Sequence, residues 1–587
     1  MTGGEASQAA GARTINPFWS PVPPPERPRP VGKSAPFSLV DLLARFRWII
    51  IVPVVLPLSF LWAALHSLRT SLAARRRGPA NEAIHGERVA AVQARVRSRD
   101  PTVDGRICTA RRNFWSVSTR DGEYKKAGAA FPVDLSALQD VVDVDMTRMV
   151  VKVEPYVDMG RLTAALLPKG VCTPVVPEYD DLTVGGLING YGIEGSSHKY
   201  GLFSDIVESV DVVVADGTLV HATRTNEASD LFFALPWSYG ALGLLVAAEI
   251  RIIPVAPYMR VTYYPVRGTL KELGVAWERL MAPVDRPWNE YVEGLIYDSS
   301  HGVITVADYA TEAEAKAEGP INQMGWWFKP WFHRYAETIL NDSVDGAPHV
   351  EYVPTRDYYH RHTRSLYWEA ELLVPFGNVA AFRWLAGWLM PPRVSFLKLT
   401  MVAKLWEYYN TKFVAHDVLV PLQHTAACME FMHDTYDIYP LWLCPHRLYK
   451  TRRGTMLDAE PGYEHSVPLA PGDSPDAQMF TDVGVWYTPG PILRGQSFDT
   501  AAASHKMEQW LIDHHGYQAM YAISELDEKD FWRMFDKTLY AECRAKYGAD
   551  GVFMDVYYKV GRKGSSASAQ ARAIAGAADA MEDKKRS

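Results

Sequence analysis

The chain has 587 residues, 48% of them apolar and 22% charged, with a net charge of −7. That length excludes a single core, and that composition excludes a chain disordered throughout. The acidic balance excludes nucleic acid as the main partner, because a phosphate backbone requires a basic field.

Residues 1–36 are rich in Pro, Gly, Ala and Ser and read as a disordered tether. Within 37–69 lies Trp48–Leu65, an 18-residue run without charge, WIIIVPVVLPLSFLWAAL. It predicts a membrane anchor helix kinked at Pro53 and Pro57; a re-entrant or interfacial helix is the other reading. Arg69, Arg75, Arg76 and Arg77 follow the run, against Arg45 and Arg47 just before it. That bias puts the large domain on the cytoplasmic side of a single-pass membrane protein, with Arg27, Arg29 and Lys33 acting against it.

Arg88–Arg97 reads as a short polar helix. Beyond it β-rich runs alternate with helical ones: Ala130–Leu135, Met149–Pro155, Arg161–Leu167, Ser209–Ala215 and Leu244–Ile253. This is an α+β texture and not a parallel βαβ array. A first unit over 88–257 is followed by a second over 258–562, denser in Trp, Tyr and His, and by a flexible tail over 563–587. The cysteines, Cys108, Cys172, Cys428, Cys444 and Cys543, are odd in number and lack C-x-x-C spacing. Neither a disulfide framework nor a cysteine zinc centre is expected.

The stretch Pro177–Gly201, PEYDDLTVGGLINGYGIEGSSHKYG, carries the chemistry. Gly185, Gly186, Gly190, Gly192 and Gly195 fall within it, and glycines let amide N–H groups approach a ligand with no Cβ in the way. Several such amides form a nest that binds a diphosphate without basic side chains. Val184, Leu187, Ile188 and Ile193 are expected to pack the loop's back against a sheet. Gly190–Gly195 matches G-x-G-x-x-G by letter, but a polar SSHKYG follows where an apolar-striped helix should begin. The match is incidental to a Rossmann turn.

In order along the chain stand FPVDLS, VKVEPYVDMG, the glycine stretch, VVVADG, DLFFAL and SYGALG running into AAEI. This series resembles the FAD domain of the vanillyl-alcohol-oxidase or para-cresol methylhydroxylase (PCMH) type. The runs DDLTVGGLI, GIEGSSHKYGLF, LVAAEIRIIP, KPWF, YYHRHTRSLYWE, PFGN and WLCP are similar to those of the delta-24 sterol reductases, from the apolar anchor nearly to the C-terminus. The resemblance implies a two-part FAD-binding domain followed by a cap or substrate domain built on an antiparallel sheet. It also implies reduction of a sterol's C24–C25 side-chain double bond with NADPH, bound at the flavin face or replaced by a partner reductase. In a eukaryote the membrane would be the endoplasmic reticulum.

By the same resemblance the FAD-binding residues are Thr183, Val184, Gly185, Gly186, Leu187, Ile188, Asn189, Gly190, Tyr191, Gly192, Ile193, Glu194 and Gly195. They continue through Ser196, Ser197 and His198 to Gly201, joined by Gly240, Gly243 and Ile250. The loop where relatives of the wider family attach flavin covalently falls at Thr109–Ser118, TARRNFWSVS, which has no His or Cys. FAD is therefore expected to bind non-covalently, with His198 the rival attachment point. Protonation of an isolated alkene needs a placed acid, a dry pocket and aromatic faces. The candidate acids are Glu293, Tyr359, His360 and His362, with Glu369 a further one; each has a structural reading as cap, ion pair or core. No metal is expected, since His360 and His362 lack a third ligand at suitable spacing. The aromatics Trp326, Trp327, Phe328, Trp331 and Phe332 suit core, sterol or membrane. Two other functions fit the sequence less closely: an FAD-linked oxidase or dehydrogenase of an alcohol or hydroxy acid, and a silent sterol-binding scaffold.

Overall fold

A computed structural model describes residues 39–77, 81–112, 125, 130–281, 288–343, 345–401, 403–449, 454–460 and 477–562. The tether over 1–36, the tail over 563–587 and residues 113–118 of Thr109–Ser118 lie outside the described residues.

The first unit begins with helix Glu82–Arg97, longer than the polar helix expected, capped by Asn81 accepting from the Ile84 amide at 3.0 Å. Val89, Val92 and Val96 share one face by helical period and bury against Ile107, Phe131 and Val133. A five-stranded antiparallel sheet follows, in the order Val141–Asp145, Val150–Val153, Leu244–Arg251, Val207–Val213, Leu219–Thr223. Its middle strand, LLVAAEIR, is apolar on both faces because helices and the second unit cover it. Arg161–Leu167 falls largely in helix Met159–Leu166, capped by Asp158.

The second unit is an eight-stranded antiparallel sheet. Its order is His349–Pro354, Tyr258–Arg267, His301–Ala310, Tyr291–Ile296, Leu441–Tyr449, Ala477–Tyr487, Val414–Pro421, Tyr517–Gln518. The two-residue period of a strand decides which side chains face which core. Leu443, Val483, Val485 and Val418 point to a helix-covered core with Trp277, Met429 and Met507. Trp442, Cys444, Phe480, Trp486 and Leu419 point the other way, into the core shared with the first unit. The glycine loop and this second face therefore look at each other.

The apolar segment runs through Trp48–Ile50, a π-helical turn at Ile51–Val55, and helix Leu56–Arg77. The π turn holds Pro53, whose missing N–H breaks the regular ladder. Trp48–Arg69 has a mean hydropathy of 2.3, long and apolar enough to cross a membrane. One of its faces, Ile51, Val55 and Leu56, packs on Leu366, Leu373, Met390 and Leu397. Its other face, including Ile50, Val54, Leu58, Leu61 and Leu65, is exposed.

The stretch Thr538–Val560, drawn above as the end of the second unit, packs on the first. Arg544 Nη1 donates to the Ala241 carbonyl at 2.8 Å, Lys546 pairs with Asp230 at 2.6 Å, and Ala549 and Phe553 enter the core with Val89. Short amphipathic pieces carry no sequence mark of which core they join, so only the folded chain reveals this return.

Candidate active site

Between the two units lies a cavity of about 470 Å³. One wall is the glycine stretch, with Thr183, Gly185, Gly186, Leu187, Asn189, Gly190, Tyr191, Gly192 and Ile193, joined by Gly240 and Gly243. Val184 and Ile188 turn away into the core, and Glu194, Gly195, Ser196, Ser197, His198, Gly201 and Ile250 also stand off the wall. His198 is buried, with its ring nitrogens 2.9 Å from the Gly195 and Asn289 carbonyls, so it braces the loop against the sheet.

The local conformation explains the glycines more sharply than composition does. A Cβ on Gly185 would meet Pro155 Cβ at 2.7 Å, one on Gly190 the Gly186 carbonyl at 2.7 Å, and one on Gly195 the Val292 carbonyl at 2.7 Å. These glycines serve close packing of the loop onto the protein itself. Gly240, at φ +71°, is different: its conformation demands glycine while the space beside it stays open. The amides of Val184, Gly185, Gly186 and Leu187 are satisfied by backbone carbonyls. Those of Tyr191, Gly192 and Ile193 donate to no acceptor among the described residues, although they line the cavity. Three adjacent amides without a protein acceptor are open to water or to a ligand's acceptor atoms. The amides without an acceptor thus sit later in the loop than the glycine pairs suggest.

Two basic residues on this wall escaped sequence reasoning. Arg111 donates to Thr183 Oγ1 at 3.1 Å, and Lys559 donates to the Tyr239 and Gly240 carbonyls at 3.0 and 3.1 Å. They come from opposite ends of the chain and carry no shared motif.

The facing wall is aromatic and acidic: Tyr367, Trp442, Trp486 and Tyr521, with Glu178, Glu369 and Asp417. Tyr239, Leu366 and Tyr367 hold positive φ values of 50°, 48° and 56° without being glycine. Such backbone costs on the order of 1–3 kcal/mol per residue and gathers at functional sites.

The expected acids divide by their partners. Glu293 lies beneath the wall with both oxygens occupied: Arg361 Nε at 2.7 Å on one, His362 Nε2 and Trp442 Nε1 at 3.0 Å on the other. Burial alone would raise its pKa, but Arg361 and His362 outweigh that and hold it well below the usual carboxylate range. Burial brings His362 down to about 4, so the ring is neutral; it stacks on Tyr367 at 4.4 Å. Tyr359 is fully buried and bonded to the Tyr309 hydroxyl at 2.6 Å. His360 contacts Thr163 Oγ1 at 3.0 Å and Asp180 at 2.8 Å. None of these four reaches the cavity wall.

Arg361 also holds Glu194 at 2.8 Å and lies 3.8 Å from Glu178. Burial, then repulsion from Glu194, pushes Glu178 well up, and Tyr367 donates to it at 2.8 Å. Glu178, Glu293 and His362 have ligand atoms within 4.8 Å of one another, but the guanidinium already supplies the cation there. Burial raises Asp417 to about 8, with Tyr521 hydrogen-bonded to it. Glu369 is raised to about 8 by burial alone, and its carboxyl makes no hydrogen bond among the described residues. Its partial accessibility is to the cavity that it lines. A carboxyl of this kind carries its proton at neutral pH and donates it to no acceptor among the described residues.

Residues 109–223 match the FAD binding domain family. The chain is 49% identical over 533 residues to the Delta(24)-sterol reductase of Pisum sativum, covering 89% of this chain and 93% of that protein. To the Delta(24)-sterol reductase of Arabidopsis thaliana it is 48% identical, covering 91% and 94%, and to that of Homo sapiens 37%, covering 89% and 95%. The free amides of Tyr191–Ile193 lie inside the matched segment and face the cavity that the second unit closes. With likeness running through both walls of that cavity, the chain belongs to the Delta(24)-sterol reductase family.

Proposed function

We propose that the cavity holds FAD non-covalently and that the protein reduces the C24–C25 double bond of a sterol with NADPH. The observation that carries this reading is the pairing of three free amides on one wall with an unpartnered, proton-bearing carboxyl, Glu369, on the other. Thr183, the segments 185–187 and 189–193, Gly240 and Gly243 would hold the cofactor, with Arg111 and Lys559 supplying charge for its phosphates. The bound flavin, once reduced, supplies hydride. Among the described residues no histidine lines the cavity. Cys108 does line it, but burial raises its thiol pKa and keeps it a poor nucleophile. Both facts support non-covalent binding.

The protein's own part is to place a proton and keep water out. Glu369 holds the proton on a carboxyl oxygen and delivers it to carbon 24. Leu366, Val394, Leu397 and Phe413 line the approach and exclude water from the cationic carbon 25. Trp442, Trp486 and Tyr367 present ring faces to that charge. Glu293 and His362 act through these rings: Glu293 accepts from the Trp442 indole and His362 stacks on Tyr367. They are positioning residues, as are Tyr359 and His360 at the Tyr309 and Asp180 contacts.

The apolar segment Trp48–Leu65 anchors the protein to a membrane with the body on the cytoplasmic side, in the endoplasmic reticulum of a eukaryote. The test is conversion of desmosterol to cholesterol by purified protein with FAD and NADPH, read by mass spectrometry. Product that requires NADPH supports the reading. Oxygen uptake with an alcohol and no NADPH would replace it with an oxidase. NADPH oxidation that needs added reductase would assign the electron supply to a partner.

A further inference from the structure

A second cavity, of about 190 Å³, adjoins the first and shares Glu369, Val394, Leu397, Phe413 and Ala415 with it. It lies at the foot of the apolar helix, where Arg47 donates to the Leu397 carbonyl at 2.5 Å and to Thr400 Oγ1 at 2.6 Å. Most of its lining is apolar, with Leu372, Leu373, Met401, Trp406, Tyr409 and Phe413 prominent. Uncharged polar groups also line it, including Asn410 and the pair His416 and Ser504, 3.4 Å apart, and the charged side chains on its wall include Lys398, Glu525 and Arg562. Its apolar side suits a hydrocarbon, and its uncharged donors and acceptors suit a hydroxyl.

We propose that this second cavity receives the ring system of the sterol, its hydroxyl among His416, Ser504 and Asn410, with the side chain passing Glu369 and Phe413 into the first cavity. This rests on the functional reading above and adds where the substrate lies and how it arrives. A sterol dissolved in a membrane reaches the protein along the exposed face of the apolar helix, and the second cavity lies at the foot of that helix, beside Arg47. A dinucleotide fits the same space less well. The cations there are already engaged, Arg47 as above, Arg562 with Glu525 at 2.7 Å and Lys398 over the Trp406 ring at 5.8 Å, and Glu525 on the same wall opposes a phosphate's charge.

Ala501, exposed on helix Thr500–Asp513 and on the wall of the second cavity, allows the space to be filled without disturbing a core. Ala501→Trp should raise KM for desmosterol by about tenfold or more while FAD content and KM for NADPH stay at wild-type values. Met401→Trp, from the opposite side of the sequence, should do the same and guards against a folding defect in one variant. Unchanged KM for desmosterol in both folded variants would overturn the inference, as would a rise in KM for NADPH instead. Wild-type protein that saturates no sterol would fail differently, overturning the functional reading and this inference together.

Discussion

Glu293 is buried and Glu369 half-buried on the cavity wall, and the two carboxyl groups behave in opposite ways. Glu293 has Arg361, His362 and Trp442 around it and stays ionised; Glu369 has no partner among the described residues and keeps its proton. The first fixes the furniture of the site, and the second is available for chemistry. A buried acid is thus identified by what its oxygens lack.

The sharpest way to break that contrast is to remove the proton without removing the shape. Glu369→Gln should lower sterol turnover by about 10²–10⁴-fold, the usual worth of a placed acid, with bound flavin unchanged. Glu293→Gln measured beside it should lose affinity and stability before turnover. If the two variants were equal in turnover, the distinction would be lost.

Arg361→Ala attacks the other side. It leaves Glu194 and Glu293 buried without their cation, which costs about 3–5 kcal/mol when one partner of a buried pair is removed. A thermal melt should show a large drop, and an unchanged melt would mean that the cluster does not hold the wall.

The pH profile sharpens the comparison next. An acid catalyst must be protonated, and Glu369 sits at about 8, so turnover should hold to about pH 8 and fall about tenfold per unit above it. The sign for stability runs the same way. A carboxyl whose folded pKa is raised binds a proton that the unfolded chain releases from about pH 4 upward, so its burial costs stability between there and about 8. Glu369→Gln should therefore abolish the alkaline limb and melt higher than wild type at pH 8.

The smallest expected effect is at Gly240. Its Cβ would meet nothing closer than 3.8 Å, so Gly240→Ala pays only for positive φ, about 1–2 kcal/mol. Gly185→Ala, which strikes Pro155, should cost visibly more in melting temperature and FAD content.

The glycine loop and the apolar helix were legible because each is contiguous in sequence and its composition states its physics. What glycine was needed for was only partly legible: Gly185, Gly190 and Gly195 admit the protein's own atoms, and the free amides begin at Tyr191. The acids were named by type, with Glu369 among them, but sequence cannot tell a satisfied carboxylate from an orphan. Arg111 and Lys559 reach one wall from the two ends of the chain, which no local pattern encodes. The one-sided burial of Ile51, Val55 and Leu56 depends on Leu366 and Leu397, which are distant in sequence.

The most direct measurement follows bound flavin in a single turnover. Protein reduced in the absence of oxygen is mixed with desmosterol, and flavin absorbance is read in wild type and in Glu369→Gln. The account predicts prompt reoxidation with cholesterol formed in wild type, and in the variant a flavin that binds and reduces normally but is not reoxidised by sterol. Reoxidation at the wild-type rate in the variant, or protein that binds no flavin, would contradict it.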